Sequence, residues 1–259
     1  MAARAMWKGI VTFGDVRVPV KLYAAIEDRT LRFRLLDRAT KTPVVQSLVQ
    51  SDTDSVVPYE ATRRGFVTDE QEVVVLDPDE LASLEPDGSR TIEVVRFVPP
   101  EAIDHRLYDR PYYLGPDGGA GRYAALARAL ARSKREGVAR WAMRKKEYVG
   151  ALRLHRGYPM LVTLRHAEEV VSLERVERPK GKPLDDAQLA MARQLVGMLE
   201  APFEPTSYRD EYRGRVAELI EAKVRGQTPT APKPRPRPKA RDLDGALRAS
   251  LRSAGDHRA

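Results

Sequence analysis

The first folded segment is predicted by alternating apolar and polar residues near the start of the chain. Within residues 6–23, a Gly14-Asp15 turn separates two runs, and the second run has valine or leucine at every second position. A period of two is typical of a β-strand that buries one face. The pattern therefore predicts two strands joined by a tight turn. Alternation predicts further strands at 90–98, after Gly137, at 148–154 and at 160–165.

Three stretches have the spacing of amphipathic helices. After Gly121, apolar residues recur every three or four positions, which places them on one side of a helix. Residues 184–199 show the same spacing and start with Asp185 and Gln188, the pair that forms a capping box. A further helix is predicted at 207–225. The chain therefore contains strands first, then one helix between strands, then helices alone.

Positive charge is concentrated in one part of this pattern. The net charge of the 259 residues is +8, whereas residues 121–165 alone hold 12 basic and 2 acidic side chains. Basic residues lie opposite the apolar side of the predicted helix (Arg128, Arg132, Arg135), on one face of the next strand (Arg140, Arg144), and at the following hairpin tip (Arg144, Lys145, Lys146). Clustered cations on folded elements indicate a polyanionic partner. A solvated basic surface without a partner is the alternative.

Composition excludes several classes of protein. No cysteine is present, so disulfides and thiolate metal sites are absent. No apolar run approaches the ~20 residues of a membrane span, and Trp7-Lys8-Gly9 interrupts any early signal-peptide core. We therefore expect a soluble, cytoplasmic protein that associates with the nucleoid.

Catalytic residues are not evident from the sequence. The four histidines have no carboxylates at metal-ligand spacing, and no set of nucleophile, base and orienting group is recognisable. Asp52 and Asp54 are the one pair that could form half of a metal site, although a polar loop is the simpler interpretation. We expect a binding protein that is not an enzyme and needs no cofactor.

The C-terminal segment differs from the rest in composition. Residues 227–240 alternate proline with lysine or arginine, which predicts an extended, disordered linker. Within 242–252, leucines recur at Leu243, Leu247 and Leu251, so that they share one side of a helix. This segment alone is too short for a stable helix.

A series of short motifs resembles the bacterial Ku family of DNA-end-binding proteins. The series begins with Trp7-x-Gly9 and Phe13-Gly14, and continues with Val18-Pro19-Val20-Lys21-Leu22-Tyr23, Val57-Pro58-Tyr59-Glu60, Phe97-Val98-Pro99 and Tyr112-Tyr113-Leu114-Gly115-Pro116. The motifs occur in the family's order over about residues 4–225. The chain departs from the family at 41–57, which is less basic than usual.

The resemblance implies an α+β, mainly β architecture. The expected parts are a Ku-like β-barrel at 1–183 with an arching bridge at about 28–75, a helical arm at 184–226, and a disordered basic tail at 227–259. The DNA-binding residues that we expect are Arg32, Arg34, Arg38, Lys41, Arg63 and Arg64 in the bridge, the basic residues already named between 128 and 146, and Lys233, Arg235, Arg237 and Lys239 in the tail. Arg32 and Arg34 are expected to share one strand face.

The resemblance also implies the function. A homodimeric ring would bind double-stranded DNA ends without sequence specificity and recruit ligase D in non-homologous end joining, the repair of double-strand breaks. Leu243, Leu247 and Leu251 are expected to bind the partner. Two alternatives stay open: a general nucleoid or RNA-binding protein without a ring, and a metal-dependent end-processing nuclease.

Overall fold

The computed structural model describes residues 3–178, 181, 183–227 and 243–256. The chain divides into two compact units, Met1–Arg175 and Val176–Ala259, which we call the barrel unit and the arm unit. No helix in the described ranges is both long and apolar enough to cross a membrane.

Seven strands of the barrel unit close into a barrel. They are β1 (Trp7–Phe13), β2 (Val16–Ala24), β5 (Thr91–Val98), β6 (Tyr108–Pro116), β7 (Glu136–Met143), β8 (Lys146–His155) and β9 (Tyr158–Leu164). Their order around the barrel is β1-β2-β6-β9-β8-β7-β5. Neighbours are antiparallel except β1 and β5, whose parallel pairing closes the barrel. The predicted strands and the Ku-like fold class are confirmed.

The interior of the barrel is filled by the alternating apolar side chains. Val18, Val20 and Leu22 of β2 are at most 1% exposed, as expected for a strand that buries one face. Leu114 and Leu152 reach the same core from β6 and β8. The barrel is therefore packed with side chains and has no channel of its own.

The bridge contains only one regular pair of strands. The short strands β3 (Arg64–Val67) and β4 (Val73–Leu76) form a separate hairpin. Between Ala24 and Arg64 only two isolated bridges occur, Leu36 with Pro43 and Val49 with Val56. The strand predicted around Arg32 and Arg34 is wrong, because no neighbouring strand lies alongside to complete its hydrogen bonds.

Five helices complete the described part of the chain. They are α1 (Pro78–Ser83), α2 (Ala120–Ser133), α3 (Asp186–Leu199), α4 (Glu211–Val224) and α5 (Leu243–Asp256). The predicted capping box of α3 is present: Asp185 Oδ1 accepts from the N–H of Gln188 at 2.8 Å, and Gln188 Oε1 accepts from the N–H of Asp185 at 3.3 Å. The C-terminal leucine-lined segment is helical as α5, where the sequence predicted disorder.

Candidate nucleic-acid interface

Helix α2 has a buried side and a cationic side. Leu126 and Leu130 are each 3% exposed and belong to the barrel core. Tyr123 Oη donates a 2.6 Å hydrogen bond to the carbonyl oxygen of Leu114, which attaches the helix to β6. Arg128 and Arg132 are exposed. The core contacts therefore fix these two guanidinium groups on the outer side of the helix.

Arg135 does not extend this cationic side, although the sequence predicted that it would. Helix α2 ends at Ser133, and Lys134 adopts a left-handed backbone with φ 51° while its N–H bonds to the carbonyl of Leu130. A left-handed residue at this position turns the chain away from the helix axis. Arg135 therefore lies in the connection to β7, where it is exposed.

Strand β7 carries its cation outward and its large apolar residues inward. Trp141 and Met143 are each 4% exposed, whereas Arg140 is exposed. The Trp141 ring stacks on Tyr148 of β8 with the ring centroids 5.4 Å apart. A Cβ at Gly150 would lie 2.7 Å from that ring, so this glycine leaves room for the indole. The inner packing fixes the outward direction of Arg140.

The turn between β7 and β8 is built from two basic residues. Met143 pairs with Lys146 across the hairpin, which leaves Arg144 and Lys145 as a two-residue loop. Their φ angles are 52° and 64°, the left-handed region in which asparagine and glycine are preferred. Each left-handed residue with a Cβ costs about 1 kcal/mol or more. The hairpin tip predicted at Arg144 and Lys145 is confirmed, whereas the position of Arg144 on the strand face of Arg140 is wrong.

Ion pairs neutralise some of the predicted cations. Lys145 Nζ lies 2.8 Å from a carboxylate oxygen of Glu85. Arg32 and Arg63 lie 3.6 and 3.8 Å from carboxylate oxygens of Asp28 and Asp77. Within the described ranges, the other predicted cations have no carboxylate oxygen within 4.0 Å: Arg34, Arg38, Lys41, Arg64, Arg128, Arg132, Arg135, Arg140, Arg144 and Lys146. These ten retain their full charge for an anion.

Arg153, one of the basic residues between 121 and 165, is neutralised by the buried carboxylate of Glu136. Glu136 has a side chain only 4% exposed, and its Oε1 lies 3.0 Å from Arg153 Nε. Tyr108 Oη donates to Glu136 Oε2 at 2.6 Å, and the Arg153 guanidinium lies 5.3 Å above the Tyr108 ring. Burial, and then the bond to the carboxylate, raises the pKa of the Tyr108 hydroxyl to about 12. The sequence could not reveal this cluster because it depends on the strand register.

The predicted DNA-binding cations of the bridge are all exposed. Lys41 has a left-handed backbone with φ 60°, in a turn where Asp37 Oδ1 accepts from the N–H of Thr40 at 2.7 Å. That hydrogen bond lowers the pKa of Asp37. Arg63 and Arg64 line a cleft of about 580 Å³ together with Lys145. The structure thus brings the end of the bridge and the β7–β8 tip together.

The remaining predicted binding residues belong to the C-terminal segment. Lys233, Arg235, Arg237 and Lys239 lie outside the described residues. Leu243, Leu247 and Leu251 lie on α5, where Leu243 is 50% exposed and the other two are half-buried. Their role in partner binding stays a prediction.

Asp52 and Asp54 are the pair that could form half of a metal site. Within the described ranges, no three or more histidine, aspartate or glutamate side chains are grouped so that they could hold a metal ion. Asp52 accepts a 3.1 Å hydrogen bond from Ser51 Oγ, and Asp54 adopts a left-handed backbone in the same turn. The surroundings of this pair are those of a polar turn.

The family is decided by the profile of the Ku70/Ku80 beta-barrel domain, which matches residues 12–191. The chain belongs to the Ku family. The match begins near the end of β1 and includes the six other barrel strands, the bridge, α2 and the basic β7–β8 tip, so the candidate interface lies inside the family domain.

Several curated Ku proteins are similar over most of the chain. Non-homologous end joining protein Ku 2 of Geotalea uraniireducens is 36% identical over 227 residues, which cover 88% of each protein. The Heliobacterium modesticaldum Ku protein is 35% identical over 97% of this chain and 92% of its own length. The Symbiobacterium thermophilum Ku protein is 38% identical over the whole chain, which spans 65% of that longer relative. All three are named non-homologous end joining proteins.

Proposed function

We propose that this chain binds the ends of double-stranded DNA as a homodimeric ring and acts in non-homologous end joining. The single observation that carries the proposal is a set of exposed cations without a described carboxylate oxygen within 4.0 Å, inside a Ku-family barrel: Arg128 and Arg132 on α2, Arg140 on β7, and Arg144 and Lys146 at the β7–β8 hairpin. Arg128, Arg132 and Arg140 are directed outward by the buried apolar residues of their own elements. Such groups lie on the outer surface, where phosphates can reach them.

The chemistry of these groups favours binding without sequence preference. Arg128, Arg132 and Arg140 are exposed and have no carboxylate oxygen within 4.0 Å among the described residues, so phosphates can approach them. Contacts between basic side chains and phosphates position a protein on duplex DNA and read no sequence. They also release condensed counterions, so that the affinity falls steeply with salt. We infer that Lys233, Arg235, Arg237 and Lys239 add contacts of the same kind.

The arm unit supports the homodimer in the proposal. No described residue from 176 onward is buried, although α3 and α4 have many apolar side chains. On α4, Tyr212 is 66% exposed and Val224 82% exposed. Apolar side chains grouped on an open surface are typical of an interface. A second copy of the chain would cover them, and two copies with twofold symmetry can close a ring.

Replacing Ile220 by aspartate should weaken the dimer more than tenfold. Ile220 is 42% exposed on the apolar side of α4, and a carboxylate buried there without a partner costs several kcal/mol. Gly214→Asp is the matched control, because it adds the same charge to the opposite side of this helix. Sedimentation velocity over a concentration series gives both dimer constants. Equal dimer constants for the two variants would contradict the arm-mediated dimer.

Replacing Arg144-Lys145 by Asn-Gly should raise the stability of the fold and lower the affinity for duplex DNA. The new turn suits the left-handed backbone, so we expect a gain of about 1 kcal/mol and a melting temperature about 2–4 °C higher. The loss of Arg144, which has no described carboxylate oxygen within 4.0 Å, should lower the affinity for duplex DNA several-fold, whereas Lys145 is already paired with Glu85. Gln71→Gly relieves a similar φ of 66° in the β3–β4 turn and should raise stability alone. An Asn-Gly variant with unchanged DNA affinity would show that the tip does not contact DNA.

Ligase recruitment is the remaining part of the proposal. The α5 leucines offer an amphipathic helix, a form that docks into apolar grooves through residues spaced three or four apart. We infer that α5 contributes to binding ligase D, with the exposed side chains of the arm as additional contact surface.

A further inference from the structure

The leucine-lined helix α5 already has a binding site within its own chain. Helices α5 and α3 pack against each other inside the arm unit. Gln188 Nε2, in the first turn of α3, donates a 3.3 Å hydrogen bond to Asp244 Oδ1, in the first turn of α5. Two of the three leucines predicted to bind a partner are half-buried in this arrangement.

The burial pattern of α3 shows which of its sides receives α5. Its half-buried residues are Gln188, Met191, Ala192, Leu195 and Met198, which follow helical spacing and form one stripe. Outside the stripe, Val196 is 71% exposed. Gln188 belongs to the stripe and contacts α5, so we assign this stripe to the α3–α5 contact. On α5 the larger half-buried side chains are Asp244, Leu247 and Leu251, which are spaced by three and four residues; the small residues Gly245, Ala246 and Ala249 are half-buried as well.

The contact explains why α5 is helical. A helix of 14 residues is marginal in water without tertiary contacts. Among the described side chains of α5, which end at Ser253, the local support is the ion pair between Arg248 and Asp244, 3.2 Å apart, and such pairs contribute only a few tenths of a kcal/mol. Apolar contact with α3 therefore supplies most of the stabilisation of α5.

We propose that the Met191–Leu195 face of α3 is a docking groove for a leucine-lined amphipathic helix, and that α5 of the same chain is its occupant. The occupant is covalently attached through residues 228–242, a short connection in sequence. A short tether raises the local concentration of its end to the order of millimolar. Even a weak contact between the two helices is therefore largely formed.

The docked helix also competes with any external partner. Leu247 and Leu251 cannot contact α3 and fill a groove of another protein at the same time. A partner that takes α5 must first displace it, so its observed affinity is reduced to the intrinsic affinity multiplied by the undocked fraction. This consequence for ligase D rests on the proposed function, whereas the α3–α5 contact does not depend on it.

Hydrogen exchange on the full chain, without DNA or ligase, tests the docking site. Amides of 243–256 should exchange at least about tenfold more slowly than in the free peptide of the same sequence. Leu195→Glu should abolish this protection, because it places a charge in the groove. Val196→Glu, on the open side of α3, should leave the protection intact. Unprotected amides in the unmodified chain, or equal effects of the two variants, would overturn the proposal.

Crosslinking identifies the copy that supplies α5. Because the chain has no cysteine, the pair Gln188→Cys with Asp244→Cys introduces the only two thiols. A short bismaleimide should join them within one chain, and much faster than in Ala190→Cys with Asp244→Cys, whose α3 position is exposed. Equal rates for both pairs would contradict specific docking. Crosslinks mainly between chains would show that α5 docks on a second copy, contrary to the proposal.

Discussion

Replacing Arg128, Arg132, Arg140 and Arg144 by glutamine should lower the affinity for duplex DNA by roughly 10–1,000-fold at moderate salt. None of the four has a carboxylate oxygen within 4.0 Å among the described residues, so each charge is available to a phosphate. The slope of log affinity against log salt should become shallower by up to roughly 0.9 per lost contact. Fluorescence anisotropy with labelled duplexes of several sequences measures both quantities, and the loss should be the same for all sequences.

The matched control removes four cations that carboxylates neutralise. Lys21, Arg29, Arg106 and Arg165 lie 3.0, 3.4, 2.6 and 2.8 Å from Asp117, Glu27, Asp104 and Asp109. Their replacement by glutamine changes the net charge equally but should alter the salt slope much less. If both variants lost affinity equally, the protein would attract DNA through its net charge alone, and the assignment of the interface would be wrong.

Replacing Glu136 by alanine should destabilise the barrel by roughly 3 kcal/mol. The change removes the acceptor of the Tyr108 hydroxyl and the partner of Arg153, and it leaves both groups beside a cavity. The Arg153 side chain is 37% exposed, so water replaces part of what it loses, and the effect falls at the lower end for buried ion pairs. Denaturant unfolding of the full chain measures the difference.

Two comparisons identify the cause of that destabilisation. Glu136→Gln keeps an acceptor for the Tyr108 hydroxyl and a similar side-chain volume. Its free energy of unfolding should therefore lie between those of the unmodified chain and of Glu136→Ala. Glu147→Ala removes an exposed acid at the start of β8 and should change stability by less than about 0.5 kcal/mol. A Glu136→Ala variant as stable as Glu147→Ala would show that the buried cluster contributes nothing.

The barrel could be predicted from the sequence because its strands have a strict period of two. Each strand has one face in the core, so the alternation of apolar and polar residues is enough to predict that Val18, Val20 and Leu22 are buried. The α3 cap was equally visible, since the capping box is formed by residues three apart. These features depend on local sequence alone.

The features that the sequence did not predict depend on distant neighbours. Arg32 and Arg34 alternate with apolar residues as in a strand, but no second strand lies beside them. Arg153 was counted as surface charge, although β8 places it next to Glu136 on β7. The leucine-lined segment was placed in a disordered tail, whereas it is a helix that packs against α3. Register and tertiary contact decide these three cases.

Binding to linear and circular DNA of identical sequence tests the central claim most directly. A closed ring admits DNA only through an end. The chain should therefore bind a linear duplex tightly and a relaxed, covalently closed circle of the same length at least about tenfold more weakly, at a salt concentration that suppresses non-specific contacts. Cutting the circle once should restore full affinity. Equal affinity for the intact circle and the linear duplex would contradict the ring and favour a general nucleic-acid-binding protein.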